Sequence, residues 1–160
     1  MSAMKRLFAV MMVGAIFSVF SPTTVADAAC YVNNDNERSF ASKLNAARRS
    51  AGKSSLRLDP QLSKAAKVHT REMVRRNVLY HTPTESLKRR VTNWVELGEN
   101  VGVGGTTDSL HGAFMDSAAH RSNILYSGFR YVGIGAKQAH GRLWVTVIFE
   151  SQADPGSPLC

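Results

Sequence analysis

Apolar positions recur at helical spacing in the first half of the sequence. Residues 37–51 carry apolar side chains three or four positions apart and are followed directly by Gly52, which predicts a helix. A second helix is predicted to begin with Asp59 as its N-cap and Pro60 at the first helical position. Its inward-facing stripe consists of Leu62, Ala65, Ala66, His69 and Met73. The small alanines predict that this helix lies close to another element.

Further helix starts and a glycine-rich stretch follow. Thr84 is placed to cap a short helix, and Thr106 or Thr107 to begin a third main helix. Between these positions, residues 97–105 are rich in glycine, and we expect the glycines to let the backbone turn tightly.

The last third of the sequence alternates apolar and polar positions. The runs 131–136 and 143–149 predict two strands, joined by a hairpin turn at His140-Gly141. Trp144 and Phe149 differ in parity, so they are expected to lie on opposite faces of their strand. Helices that precede an antiparallel hairpin predict an α+β domain with helices packed on a sheet.

The N-terminal segment has the pattern of a secretory signal peptide. Lys5 and Arg6 precede an apolar run over residues 7–20, and Ala26-Asp27-Ala28 offers a cleavage site. The run is shorter than the roughly 18 to 20 residues that span a bilayer, so no transmembrane segment is expected. The predicted organisation is a signal peptide at 1–28, a lead-in segment at 29–38, a domain at 39–150 and a tail at 151–160. We therefore expect a secreted protein, extracellular, periplasmic or in the cell envelope.

Both cysteines lie near the ends of the predicted mature chain. Disulfides persist in exported proteins, so Cys30 and Cys160 are expected to pair. Two free thiols on terminal segments are the alternative. A lipid-modified Cys30 is a further alternative, but Asp27 stands where that signal needs an apolar residue.

The chain is basic, with a formal net charge of +8 and a pI near 9.9. Its basic residues form short clusters without the interleaved aromatic side chains that binders of single-stranded nucleic acid use. This dispersion argues against a nucleic-acid partner and favours a solvated surface attracted to an acidic cell envelope. A monomer of one domain is expected.

Several segments occur together in the order of a known family. They are Leu44-Asn45 with Arg48; Leu58, Leu62, Ala65-Ala66, His69 and Met73; His81-Thr82-Pro83; Leu97-Gly98-Glu99-Asn100; His120-Arg121-Ser122-Asn123-Ile124-Leu125; Val132-Gly133-Ile134-Gly135; and residues 144–149. From Phe40 to Phe149 the chain resembles a CAP domain, the superfamily of cysteine-rich secretory proteins, antigen 5 and plant pathogenesis-related proteins, in its short bacterial form. The resemblance implies a three-layer α-β-α sandwich with a central antiparallel sheet.

The resemblance also implies a central cleft that carries two histidines and two acidic residues. Matched by position, His81 corresponds to the first histidine, Glu99 to the first glutamate and His120 to the second histidine. The second glutamate has no match, because Ser117 takes its place and Asp116 is only a neighbour. The predicted cleft therefore holds these five residues without the full tetrad.

Two chemistries fit these side chains. Two converging neutral imidazoles bind Zn²⁺, so His81 and His120 are candidate zinc ligands, with Glu99 as a third ligand or as a general base. Alternatively, Glu99 and the histidines form a hydrogen-bonded polar network that fixes the loops. Glu99 is a candidate catalytic residue only under the first interpretation.

Five other polar side chains are assigned structural or surface positions. His69 lies on an apolar stripe and is expected in the core. His111 and His140 are expected to face solvent. Asn100 and Asn123 are expected to bond loop backbone rather than to act in catalysis.

Three functions remain open. The leading hypothesis is a binding module without chemistry, for an apolar, lipid-like or sterol-like ligand or for an envelope or host partner, since family members have been linked to such ligands. The second is a zinc-dependent hydrolase that uses His81, His120 and Glu99. The third is a structural envelope protein whose histidines serve only the scaffold.

Overall fold

The computed structural model describes residues 31–152, which form five helices and four strands. In chain order these are α1 (Asp35–Ser50), β1 (Arg57–Leu58), α2 (Pro60–Arg76), α3 (Thr84–Arg90), β2 (Leu97–Gly104), α4 (Thr107–Asp116), α5 (Ala118–Leu125), β3 (Tyr131–Ala139) and β4 (Arg142–Glu150). The predicted signal peptide and the Cys30–Cys160 disulfide lie outside the described residues and stay predictions. No helix within residues 31–152 is long and apolar enough to cross a membrane.

The strands form one sheet in the order β1-β3-β4-β2. The β3–β4 hairpin and the β2–β4 pair are antiparallel, whereas the two-residue strand β1 pairs with β3 in parallel. The turn at His140-Gly141 is as predicted, with positive φ at both residues. The α+β class is confirmed, and β1 adds one short parallel pair to the antiparallel sheet.

Helices cover both faces of this sheet. Alternate residues of β4, such as Val147 and Phe149, pack in the core shared by α1, α4 and α5. The even-numbered positions of β4 point to the other face, where Trp144 and Ile148 pack against α2. The predicted three-layer α-β-α sandwich and the opposite orientation of Trp144 and Phe149 are therefore confirmed.

Helix α2 lies directly against β3 at two glycines. A Cβ atom added to Gly133 would stand 2.0 Å from the backbone carbonyl carbon of Leu62, and one added to Gly135 would stand 2.5 Å from that of Ala66. Thr70 stabilises the contact between α2 and β3, because its hydroxyl donates a hydrogen bond to the Gly135 carbonyl oxygen at 2.9 Å. The close approach predicted from the alanines of α2 is thus made against backbone.

The start of α1 differs from the prediction. The helix begins at Asp35, because Asn34 and Glu37 form a capping box: the Asn34 side chain accepts from the Glu37 backbone N–H, and the Glu37 carboxylate accepts from the Asn34 backbone N–H. Both side chains also bond Ala136 of β3, Asn34 to its oxygen at 3.1 Å and Glu37 to its N–H at 3.3 Å. The helix therefore starts two residues before the predicted start at Glu37.

Two local predictions need correction. Thr84 is the first residue of α3 rather than its cap; Pro83 occupies the N-cap position and makes no side-chain cap bond. Residues 97–104 do not turn but form β2, a full edge strand paired with β4. Glycine is needed there for packing, since a Cβ atom on Gly102 would stand 2.7 Å from the Phe114 ring.

Candidate functional site

His81 and Glu99 meet at the edge of the sheet. His81 lies in the segment between α2 and α3, and Glu99 is the third residue of β2. The His81 Nδ1 atom is 2.9 Å from Glu99 Oε1, which also accepts from the Thr82 backbone N–H at 2.8 Å. The Thr82 hydroxyl donates to the other carboxylate oxygen at 2.5 Å. Both oxygens of Glu99 are therefore engaged in holding the His81 segment against β2.

Exposure separates the two partners of this contact. The Glu99 side chain is 7% exposed, whereas the His81 side chain is 62% exposed. With Nδ1 turned to Glu99, the His81 ring is left accessible to solvent or ligand on its other side.

His120 lies on α5, and its ring packs on Phe114 with the centroids 4.7 Å apart. Burial lowers the pKa of His120, and a positive charge on nearby His81 lowers it further. Both effects favour the neutral imidazole of His120. The structure thus brings His81 and Glu99 into contact and places His120 within electrostatic range of His81, with no direct contact between His120 and either side chain among the described hydrogen bonds.

Ser117 and Asp116 stand at the junction between α4 and α5. Ser117 ends α4 and is the N-cap of α5, where its hydroxyl accepts from the His120 backbone N–H at 3.5 Å. Asp116 is exposed at the end of α4. Neither side chain supplies a carboxylate in the position of the second glutamate.

The donor set does not match a three-ligand zinc centre. Across residues 31–152, no three His, Cys, Asp or Glu side chains are grouped so that they could hold a metal ion. Glu99, the third ligand of the zinc hypothesis, has both oxygens bonded to Thr82 and His81. Zinc binding by His81 and His120 stays a prediction.

Two asparagines join α5 to β2, as predicted for structural side chains. Asn100 donates to the His120 carbonyl oxygen at 3.0 Å, and Asn123 donates to the Asn100 side-chain oxygen at 2.8 Å and to the Glu99 carbonyl oxygen at 3.3 Å. Asn100 is fully buried. These bonds place His120 and Glu99 on one rigid frame.

Buried Arg48 holds the other end of α5. Its guanidinium donates to the carbonyl oxygens of Ile124 at 2.7 Å and Tyr126 at 3.0 Å, which lie in the last turn of α5 and at its C-cap. A cation at this end of a helix also complements the helix dipole. Burial lowers the pKa of Arg48.

An open groove of about 390 Å³ begins at the His81–Glu99 contact. Its remaining lining residues are Thr82, Thr84, Leu87, Lys88, Trp94 and Leu97. Trp94 is 39% exposed, and Lys88 Nζ lies 5.8 Å from the centre of its ring. The sequence analysis did not predict the apolar side of this groove, formed by Leu87, Trp94 and Leu97. The one signal for it was Trp94, a tryptophan in a segment without periodic apolar positions.

The comparison with family models decides the assignment. The model of the cysteine-rich secretory protein family, CAP, matches residues 41–149. The chain belongs to this family. Its CAP domain is similar to the uncharacterized protein YkwD of Bacillus subtilis, with 30% identity over 115 residues. That match covers 68% of this chain and 44% of YkwD, so the chain spans less than half the length of this relative.

Solved structures share the CAP fold. An outer surface protein of Borrelia burgdorferi superposes with a TM-score of 0.69 at 14% identity, covering 76% of this chain and 96% of that one. An extracellular protein with an SCP domain from Bacillus anthracis gives a TM-score of 0.62 at 24% identity, covering 73% and 40%. At these identities the likeness establishes the fold alone.

His69, His111 and His140 do not line the groove. His69 is fully buried, as predicted, with Nε2 2.7 Å from the Tyr80 carbonyl oxygen. His140 is exposed as predicted and packs edge-on to Trp144. His111 was wrongly predicted to face solvent: its ring packs edge-on to Phe40, and burial lowers its pKa.

Acidification is expected to destabilise this CAP domain through His111 and His120. Both pKa values are lowered in the folded state, so below about pH 6.5 the unfolded chain binds protons that the folded protein does not. The free energy of unfolding then falls as the pH drops from about 6.5 toward the folded pKa values. Above that pH the two rings add no pH dependence to the stability. Melting temperatures measured between about pH 7.5 and pH 5 check this. The double variant His111→Gln/His120→Gln should show a shallower decline, and an unchanged slope would contradict the assignment.

Proposed function

We propose that this chain is a secreted CAP-domain binding module that holds an apolar or amphiphilic, lipid-like ligand in the groove beside His81 and Glu99 and performs no chemistry on it. The observation that carries the proposal is the mixed wall of the groove. Leu87, Trp94 and Leu97 offer apolar surface, while the exposed ring of His81 offers a polar group at one end. Such a site suits a ligand with an apolar body and a polar head.

The state of Glu99 supports binding rather than catalysis. A general base needs an oxygen free to take a proton from water or substrate. Glu99 instead accepts from the Thr82 backbone N–H, the Thr82 hydroxyl and the His81 ring, and it is almost fully buried. Glu99 is the only carboxylate among the described residues that line the groove, and Ser117 supplies no second one.

The tryptophan of the groove and its neighbour in the chain are both exposed apolar side chains, Trp94 by 39% and Val95 by 62%. Exposed apolar groups at a groove favour a ligand with an apolar part. Secretion agrees with the predicted signal peptide and with the extracellular and outer-surface proteins that share the fold.

Tryptophan quenching tests the proposal, since the chain has two tryptophans, Trp94 in the groove and Trp144 in the core. A dibrominated stearic acid, which quenches tryptophan on contact, should quench the full chain saturably. We expect Trp94→Phe to lose the quenching because Trp144 is buried. Leu87→Gln should weaken binding about tenfold, as loss of one buried leucine contact costs roughly 1.5 kcal/mol or more.

A surface valine supplies the control. Val68→Gln removes an exposed apolar side chain of α2 that does not line the groove, and binding should be unchanged. Quenching that persists in Trp94→Phe, or is absent from the parent chain, would overturn the proposal. Metal-dependent ester hydrolysis that is lost in Glu99→Gln would replace it with the zinc-dependent hydrolase.

A further inference from the structure

A second, basic pocket lies on the opposite side of the sheet's two central strands from the groove. It encloses about 200 Å³ between the start of α1, the middle of α2 and β3, and is lined by Asn34, Lys67, Thr70, Arg71, Ala136 and Lys137. The groove lies at β2, and β4 separates β2 from β3. Two strand spacings, about 10 Å, therefore divide the two sites at the level of the sheet.

The neutral side chains of this basic pocket are already occupied. The Asn34 side-chain amide donates to the Ala136 carbonyl oxygen, and the Thr70 hydroxyl bonds the Gly135 carbonyl oxygen. The groups left to meet a ligand are therefore the three cations, Lys67, Arg71 and Lys137.

Two of these cations make no salt bridge within residues 31–152. Lys67 lies 3.5 Å from the Glu37 carboxylate and 4.6 Å from the centre of the Tyr31 ring. Arg71 and Lys137 are exposed, and neither forms a salt bridge with any acidic residue within 31–152.

Glu37 does not cancel this charge. Its carboxylate is fully buried and accepts from the backbone N–H groups of Asn34 at 2.9 Å and Ala136 at 3.3 Å. It offsets Lys67 and leaves the two positive charges of Arg71 and Lys137 facing the cavity. The pKa of Tyr31 reflects the charges of Glu37 and Arg71. Burial is the main cause that raises this pKa, the charge of Glu37 raises it further, and the charge of Arg71 lowers it.

We propose that the basic pocket binds a phosphate monoester. Such a group carries about −1.5 to −2 charges at neutral pH, which matches the two unpaired cations. The planar fork of Arg71 donates to two phosphate oxygens at once, and Lys137 supplies a mobile point charge from the facing strand. The group reaches the pocket either on a soluble molecule or on a lipid head group.

Nuclear magnetic resonance of the full chain, with glycerol phosphate as the probe at constant ionic strength, tests the proposal. The amide signals of Ala136 and Lys137 should shift saturably. In the variant Arg71→Gln/Lys137→Gln, affinity should fall about tenfold or more, because two charge-assisted contacts are lost. The control variant Arg75→Gln/Lys53→Gln removes the same charge outside the pocket, and its affinity should stay within about twofold of the parent chain. Equal weakening in both variants, or no saturable shift, would overturn the proposal.

Vesicles distinguish the two sources of the phosphate. Phosphatidylcholine vesicles with phosphatidic acid present a phosphate monoester, whereas vesicles of equal surface charge with phosphatidylglycerol present only a diester. Co-sedimentation that prefers phosphatidic acid and is lost in Arg71→Gln/Lys137→Gln would support a lipid head group. Binding of glycerol phosphate with no such preference would support a soluble ligand. If the binding of glycerol phosphate does not depend on Arg71 and Lys137, the proposal is wrong whatever the vesicles show. Neither outcome bears on the lipid-like ligand of the groove, whose test uses Trp94.

Discussion

Replacing Gly133 with alanine is expected to lower the free energy of unfolding by about 3 kcal/mol or more. The added Cβ atom would stand 2.0 Å from the Leu62 carbonyl carbon and 2.3 Å from the Ser63 backbone nitrogen. Because both atoms belong to the backbone of α2, no rotamer change relieves the overlap, and the helix must move off the sheet. Chemical denaturation followed by circular dichroism measures the loss, and a variant that fails to fold is the stronger form of the same result.

Gly112 provides the matched control for this substitution. It lies within α4, and no heavy atom outside its immediate helix neighbourhood is within 4 Å of an added Cβ atom. Gly112→Ala should therefore raise stability by about 0.5 to 1 kcal/mol, because alanine favours the helix and restricts the unfolded chain. Similar losses in the two alanine variants would show that contact between α2 and β3 is not the cause.

Replacing Arg48 with methionine is expected to cost about 3 kcal/mol or more. Arg48 is 1% exposed and donates to four carbonyl oxygens, those of Ser54, Ile124, Tyr126 and Phe129. Methionine fills similar space but leaves these acceptors unsatisfied, at about 1 to 3 kcal/mol for each one that water does not reach. Arg48→Lys should recover only part of the loss, because an ammonium group does not span the same four acceptors. Chemical denaturation of the three proteins measures these differences.

The neighbouring residue separates this effect from a general loss of charge. Arg49 is exposed and makes one long contact to the Ser55 hydroxyl, so Arg49→Met should change stability by no more than about 0.5 kcal/mol. Hydrogen exchange adds a local measurement, since amides of α5 should exchange faster in Arg48→Met than in Arg49→Met. Equal losses of stability in Arg48→Met and Arg49→Met would show that the hydrogen bonds of Arg48 to the carbonyl oxygens are not the cause.

Local signals in the sequence were sufficient for most elements. Asp59 and Pro60 mark the start of α2 correctly, and the apolar stripe of α2 faces the sheet. The alternation in β3 and β4 identifies the hairpin and its two faces. These features depend on backbone preference and on the period of apolar positions, both of which act over a few residues.

Features that depend on distant partners were not predictable from spacing. The glycines of β2 looked like turn residues because the sequence does not show that Phe114 and Leu110 of α4 lie over Gly102. His111 is polar and stands beside a glycine, yet Phe40 of α1 covers its ring. For the site, the family resemblance supplied His81, Glu99 and His120, while the bonds from Thr82 that occupy Glu99 became visible only when strand and loop were placed together.

The capping box at the start of α1 also changes what the sheet exposes at the edge formed by β3. Beyond the short strand β1, the outward backbone groups of β3 would present a template to which a strand of another molecule could add. Asn34 and Glu37 take up both backbone groups of Ala136 and interrupt that template midway along the strand. The start of α1 therefore occupies two of the backbone groups that a strand of another molecule would need in order to extend the sheet.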